Sequence, residues 1–291
     1  MITFSELGSY GRLGNQLFQY AALKSTALKN GYVCKVPDFS LKNWHGQSCL
    51  LSYFNIEAET LNKTDLQTIN NIVSENPNYY GVYTDILENI PDNTNLFGFF
   101  QNTKYFKNFE DQIKKELSPR KELLNREERR MNLLKNSNEK FVSLHIRTGD
   151  NNDGTNPVYV SHYGSGPLDT NCTVGKYVTK ALEYFPTDGN TKFLVFVGGS
   201  RTGNDREDIL WAKNYFSDKK FIVNDTNDPL IDFIRISLCE HNIVSFASSF
   251  SWWAAYINKN PNKIVICPED YGFDGKTKHK EHFYPDTWKQ I

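Results

Sequence analysis

The chain has 291 residues, room for one large domain or two medium ones, each with a core of its own. Lys plus Arg (33) and Asp plus Glu (34) nearly cancel to a formal charge of −1, which excludes bulk attraction to nucleic acid or an anionic membrane and makes any anion site local. Cys34, Cys49, Cys172, Cys239 and Cys267 are scattered and form no Cys-x-x-Cys pair, so reduced thiols in a cytoplasmic protein are expected, not a disulfide framework or a zinc site. No stretch approaches the roughly eighteen consecutive apolar residues of a membrane span. The opening "MITFSELGSYGRLG" lacks the basic-then-apolar order of a signal peptide.

Residues 1–30 read as strand, tight loop and helix: "ITF", then "GSYGRLGNQ", then "LFQYAALKSTALKN" with apolar residues at helical spacing and Gly31 as the stop. Residues 37–110 are polar and turn-rich, with apolar islands at "CLLSYFNI" and "NLFGFF". The charged stretch 108–138 carries apolar residues at helical spacing with a break at Pro119, which predicts two helices with solvated charged faces. After residue 140 the pattern alternates. "FVSLHI", "KFLVFVG" and "KIVIC" read as strands, while "VGKYVTKALEYF", "EDILWAKNYF" and "PLIDFIRISLCEHN" read as helices, an order that implies parallel βαβ units. The two sections predict an α/β chain of two Rossmann-like domains facing a cleft, residues 1–135 and 136–291, with the C-terminal tail packing back.

Three stretches carry polar groups where such a fold puts ligands. In "FVSLHIRTGD", period-2 alternation puts Val142, Leu144 and Ile146 on one face and Ser143, His145 and Arg147 on the other. His145 and Arg147 then point together beyond the strand end, either into the ligand crevice or into a salt bridge at a strand edge. Gly11-x-x-Gly14 directly before a helix leaves backbone N–H groups for an anion, or makes an ordinary tight turn; Asn15 and Gln16 add amides beside it. In "HNIVSFASSFSWWAAYIN", Ser248, Ser249 and Ser251 crowd a strand-to-helix turn, a phosphate cradle or a helix N-cap. Trp252 and Trp253 read as core. The sequence has no Asp-x-Asp motif, and His279-x-x-His282 has no carboxylate cluster beside it, so neither metal nor cofactor is expected. A diphosphate leaving group would then be neutralised by arginine and helix ends.

These stretches, in this order, resemble the α-1,2-fucosyltransferase family, glycosyltransferase family 11. The family's Gly-Gly-Leu-Gly-Asn-Gln-Met-Phe-Gln-Tyr-Ala stands here as "GRLGNQLFQYA", its His-Ile-Arg-Arg-Gly-Asp as "HIRTGD", and its Cys-Lys-His-Asn-Ile-Ile…Ser-Ser-Phe-Ser-Trp-Trp as "CEHNIVSFASSFSWW". "GFFQNTKYF" at 98–106 and the closing "FYPDTWKQI" are weaker echoes.

The resemblance implies a GT-B architecture and a metal-independent, inverting transfer of L-fucose from GDP-fucose to the 2-hydroxyl of a galactose-containing glycan. The partners are thus a nucleotide sugar and a glycan, with no nucleic acid. It implies Arg147 for the β-phosphate, His145 for a neighbouring phosphate or ribose, and the turn Ser248-Ser249-Phe250-Ser251 for phosphate. Asp232 is similar to a carboxylate that related enzymes set against guanine, and Asn15, beside Gly11 and Gly14, to an asparagine near the reacting centre. Asp150 is the nearest carboxylate for a general base, or fixes the Thr-Gly turn. Three departures stand out: Thr148 replaces a second arginine, "FVGGSRTGND" replaces Phe-Ser-Asp-Asp, and one extra residue precedes the serines. A GDP-sugar-binding protein without transfer is the alternative function. A dinucleotide enzyme is disfavoured because the glycine spacing is wrong.

Overall fold

The structure, a computed structural model, describes residues 1–41, 49–76, 81–148, 166–186, 188–198, 205–269 and 283–291. Asp150 lies outside these residues. The described strands form two sheets in which neighbouring strands run parallel. Parallel strands need crossover connections, and helices supply most of those among the described residues. The chain divides into two units, Met1–Arg120 with Lys280–Asp286, and Lys121–His279 with Thr287–Ile291.

The first unit contains β1 (Ile2–Thr3), α1 (Leu13–Asn30), β2 (Cys34–Val36), β3 (Glu59–Thr60), α2 (Lys63–Thr68), β4 (Asn71–Ser74), β5 (Thr94–Phe97) and α3 (Glu110–Glu116), with sheet order β3-β2-β1-β5-β4. Helix α1 buries Leu17, Phe18, Tyr20, Ala21, Ala22 and Leu23 completely, too wide a stripe for a surface helix. It ends where predicted. Gly31 takes φ 69°, and Tyr32 N–H donates back to the Ala27 carbonyl at 2.9 Å, closing the last turn. Late in the chain, Phe283 returns to this unit and stacks on Phe18 with centroids 6.2 Å apart.

The start of α1 differs from the sequence expectation. Gly14 was placed in the loop before the helix, but it is the second residue of α1 and is buried. The Asn15 and Gln16 N–H groups both bond the Arg12 carbonyl, at 2.9 and 3.1 Å, so the helix closes one turn earlier than the glycine spacing implied.

The second unit contains α4 (Lys121–Asn132), β6 (Lys140–Arg147), α5 (Thr173–Leu182), β7 (Thr191–Gly198), α6 (Asp205–Tyr215), β8 (Phe221–Val223), α7 (Pro229–Leu238), β9 (His241–Ile243), α8 (Ser249–Ile257), β10 (Val265–Cys267) and β11 (Lys289–Gln290). Its sheet order is β11-β10-β9-β6-β7-β8. From β6 the chain proceeds outward through β7 and β8, then returns to β6's other side with β9. That reversal is a topological switch point, and ligands of open α/β sheets bind at the carboxyl ends of the strands that flank it.

Alternation along β6 sorts its side chains as expected. Val142, Leu144 and Ile146 join Val174, Tyr177 and Ala212 in one buried cluster. Trp252 and Trp253 are fully buried. The charged stretch at the start of this unit is not wholly solvated: Glu127 on α4 is completely buried, held by ion pairs with Arg126, Arg130 and Arg235. Among the described residues, no helix is long and apolar enough to cross a membrane.

Candidate active site

At the switch point, β6 ends beside the turn that follows β9. Arg147 N–H donates to the Ser245 hydroxyl at 3.0 Å, and Ser245 N–H donates to the Ser251 hydroxyl at 3.2 Å. The strand end is thereby tied to the first turn of α8. Ser248 is the N-cap of that helix, its Oγ accepting from Ser251 N–H at 3.2 Å and lying 3.4 Å from His145 Nδ1. Ala247, just before the cap, sits at φ 45°, a left-handed conformation that costs roughly 1–3 kcal/mol for a residue with a Cβ.

Two of the three serine hydroxyls therefore serve the turn. Ser251 and Ser248 are buried, Ser248 as the cap, and Ser249 is half-buried at the helix start. Backbone donors add to this end. Ser251 N–H is taken by the cap and Trp252 N–H by the Ser248 carbonyl, while Phe250 N–H meets no acceptor among the described residues. Unsatisfied N–H groups at a helix start carry its positive end and suit an anion. The Phe250 ring lies between His145 and Phe233 of α7, with centroids 5.7 and 5.5 Å away.

His145 is buried beside Arg147, and both effects disfavour its protonation: burial first, the guanidinium second. Its pKa falls to about 3. It contributes a neutral imidazole, a hydrogen-bonding group and not a charge. Arg147 is the cation of this cluster among the described residues.

Asp232 lies in the first turn of α7, which starts from an Asp228 N-cap with Pro229 at its first position. Asn224 Nδ2 donates to Asp232 Oδ1 at 2.5 Å, and the Thr226 hydroxyl donates to the same oxygen. Oδ2 receives no bond among the described residues. Burial lifts the Asp232 pKa to about 6 against these two hydrogen bonds and Arg235, which lower it. The unit thus offers donors and a cation at one place and a carboxylate with an open oxygen on a helix that packs against it.

The remaining candidates, Gly11, Gly14 and Asn15, belong to the first unit and gather at its own switch point, between β1 and β5. Gln101, fully buried after β5, donates from Nε2 to Asn15 Oδ1 at 2.7 Å. Gln16 donates to the Gly11 carbonyl at 2.8 Å, and Gln19 to the carbonyls of Tyr10 and Gly98 at 3.1 and 3.2 Å. Tyr10 stacks on Phe97 and Phe99, each with centroids 4.7 Å away. Gly11 has φ 78°, and a Cβ there would lie 2.8 Å from the Asn15 Cβ. The loop is a fixed frame around Asn15.

Sequence reasoning missed Gln101 and the partners of Asp232. Gln101 stands in "GFFQNTKYF", and the cluster "NDTND" before Pro229 is a polar turn from which Asn224, Thr226 and Asp228 bond the helix it begins. Both signals were present without a geometry to join them.

Two solved structures share this fold. POFUT1 in complex with GDP aligns with a TM-score of 0.53 at 12% identity, covering 91% of this chain and 97% of that one. The fucosyltransferase NodZ from Bradyrhizobium aligns with a TM-score of 0.50 at 12% identity, covering 87% and 91%. Two Rossmann-like units of this kind define the GT-B class of α/β glycosyltransferase. Residues 4–291 match the model of Glycosyl transferase family 11, and the chain belongs to that family. An alpha-1,2-colitosyltransferase of Escherichia coli is 25% identical over 97% of this chain and 96% of its own length. The O-antigen biosynthesis glycosyltransferase WbnK of the same species is 32% identical over 52% of this chain and 44% of WbnK, so the match spans less than half of that relative. A galactoside 2-alpha-L-fucosyltransferase of Caenorhabditis elegans is 25% identical over 66% of this chain and 51% of its own.

Proposed function

We propose that this protein transfers L-fucose from GDP-fucose to the 2-hydroxyl of a galactose residue in a glycan, with inversion at the anomeric carbon. The observation that carries this reading is the placement of Arg147 at the carboxyl end of β6, tied through Ser245 to the first turn of α8, in a chain of family 11. In a single displacement the acceptor oxygen bonds to the fucose anomeric carbon. The bond from that carbon to the phosphate oxygen breaks, its electron pair leaves with GDP, and the acceptor proton passes to a base. Asp150 is proposed for that base.

Charge builds on the departing diphosphate, and Arg147 with the Phe250 N–H stabilises it, the largest contribution such a site makes. His145 supplies a neutral hydrogen bond beside it. Asp232 accepts the N–H groups of guanine, a pair that adenine and pyrimidines lack. Asn15, framed by Gly11 and Gln101, belongs to the acceptor side.

Incubation with GDP-fucose and a panel of galactosides, followed by mass spectrometry and linkage analysis, tests the reading. A fucosylated galactoside with a 1,2 linkage is expected. GDP-fucose binding without transfer to any acceptor would make the chain a GDP-sugar-binding protein instead. The whole-chain similarity to a colitosyltransferase favours one rival donor, so GDP-colitose belongs in the same assay; faster transfer from it would replace fucose in this reading.

A further inference from the structure

A carboxylate that recognises a base by hydrogen bonding must be held at a fixed angle. Behind Asp232 stands a line of three supports. Asn224, the residue after β8, donates to Asp232 Oδ1. A primary amide has an oxygen on one side and an NH₂ on the other, so its direction is decided by whatever binds the oxygen. Here that partner is Arg235 of α7, whose Nη1 donates to Asn224 Oδ1 at 2.7 Å. Guanidinium has no acceptor, so turning the amide over would set two donors face to face. The NH₂ is thereby committed to Asp232.

Arg235 is fixed in turn. Its Nε donates to Glu127 Oε2 at 3.1 Å, and Glu127, completely buried on α4, holds Arg126 and Arg130 on its other oxygen at 2.9 and 2.8 Å. Withdrawing a partner from a buried charge costs far more than the pair contributes, so this end of the line does not slip. Acceptor and donor alternate from Glu127 through Arg235 and Asn224 to Asp232. Reversing one member would break every bond after it.

We propose that Glu127, Arg235 and Asn224 form a positioning chain that fixes the Asp232 carboxylate for a base with adjacent ring and exocyclic N–H donors, and so sets the preference for a guanine nucleotide. This rests on the reading of Asp232 as the base-recognising carboxylate. Asp232 meets the base; the other three act through it. Base choice is then decided partly on α4, through Glu127.

The test is calorimetry on the full chain with GDP and with inosine diphosphate, which lacks the exocyclic amine. Wild type prefers GDP, and Asp232→Asn erases the preference. Asn224→Ala and Arg235→Met each reduce it by roughly tenfold, the scale of one lost hydrogen bond to a charged group. Asn224→Leu fills a similar volume yet withdraws the donor from Asp232, so it loses the preference; a cooperative melt checks that it folds, and a merely structural role would not move the ratio. A wild-type preference in both Asn224 variants, with the preference lost in Asp232→Asn, would overturn the positioning chain and leave the base assignment standing. A wild-type preference in Asp232→Asn would overturn both.

Discussion

The Thr148 hydroxyl donates to the buried carboxylate of Asp208 on α6 and lies 3.3 Å from the Gly198 carbonyl oxygen. Arg147, one residue earlier, is tied to the opposite side of the sheet, where α8 begins. An arginine substituted at 148 would therefore meet Asp208 before any diphosphate. Thr148→Arg is expected to change kcat/KM for fucose transfer by no more than about tenfold. Thr148→Val, which removes a donor from a buried carboxylate, should lower unfolding stability by roughly 1–3 kcal/mol, read from the denaturant midpoint. A wild type without transfer activity that Thr148→Arg switches on would overturn this assignment.

Arg147→Ala should lower kcat by roughly 10²–10³, the scale of one lost transition-state donor. Arg147→Lys should recover little of it, since an ammonium is a point charge without the planar fork. Steady-state kinetics with GDP-fucose decide; near-normal turnover in the alanine variant removes Arg147 from the mechanism.

Burial of His145 has a signature in stability. Its pKa in the folded protein is about 3, below the unfolded value of about 6.5. Between those values the unfolded chain binds the extra proton, so stability is full above about 6.5 and is lost as pH falls toward about 3. His145→Gln, which cannot titrate, should flatten that part of the stability profile in urea titrations across the acid range.

Asp232 gives the opposite shift and a different readout. Its pKa is raised to about 6, chiefly by burial with a smaller push from Asp228, while Thr226, Asn224 and Arg235 pull it down. The ionised form accepts guanine's N–H groups, so GDP affinity should hold above about 6 and decline below it by up to about tenfold per pH unit. Calorimetry with GDP over that range checks this, and Asp232→Asn should show no such decline.

Gly11 and Gly31 both have positive φ, at 78° and 69°, but a Cβ at Gly31 would meet nothing within 4 Å, whereas at Gly11 it would press on Asn15. Each alanine variant bears the roughly 1 kcal/mol of left-handed backbone strain. Only Gly11→Ala should also lose transfer activity, by at least about tenfold. Equal activity in the two variants would show that the Asn15 frame does not matter.

Much of the second unit was legible because its signals are local. The run 141–147 is apolar enough for a buried central strand, and its alternation alone separates Arg147 from Thr148. Gly31 stopped α1 because only a left-handed residue closes that turn. The edge strands were illegible for the same physical reason. β3 is Glu59–Thr60 and β11 is Lys289–Gln290, both exposed, and β4 leaves Ile72 at 70% exposure, so burial wrote no pattern into them. Glu127 reads as one charge among many in a solvated helix, and only tertiary packing against Arg235 makes it interior. Gly14 is misleading because its spacing reads as a loop where the Arg12 carbonyl closes a helical turn.

Phe283 stacking on Phe18 also bears on how the protein is made. A ribosome releases Met1–Arg120 long before it reaches Phe283, since all of the second unit but Thr287–Ile291 is encoded between them. The first unit therefore waits, with Phe18 lacking one of its aromatic neighbours, until almost all of its partner has emerged. Chains stalled or clipped shortly before residue 283 would carry a complete β6–β9 switch point and an unfinished N-terminal core, so damage near one end of the sequence would surface as misfolding at the other.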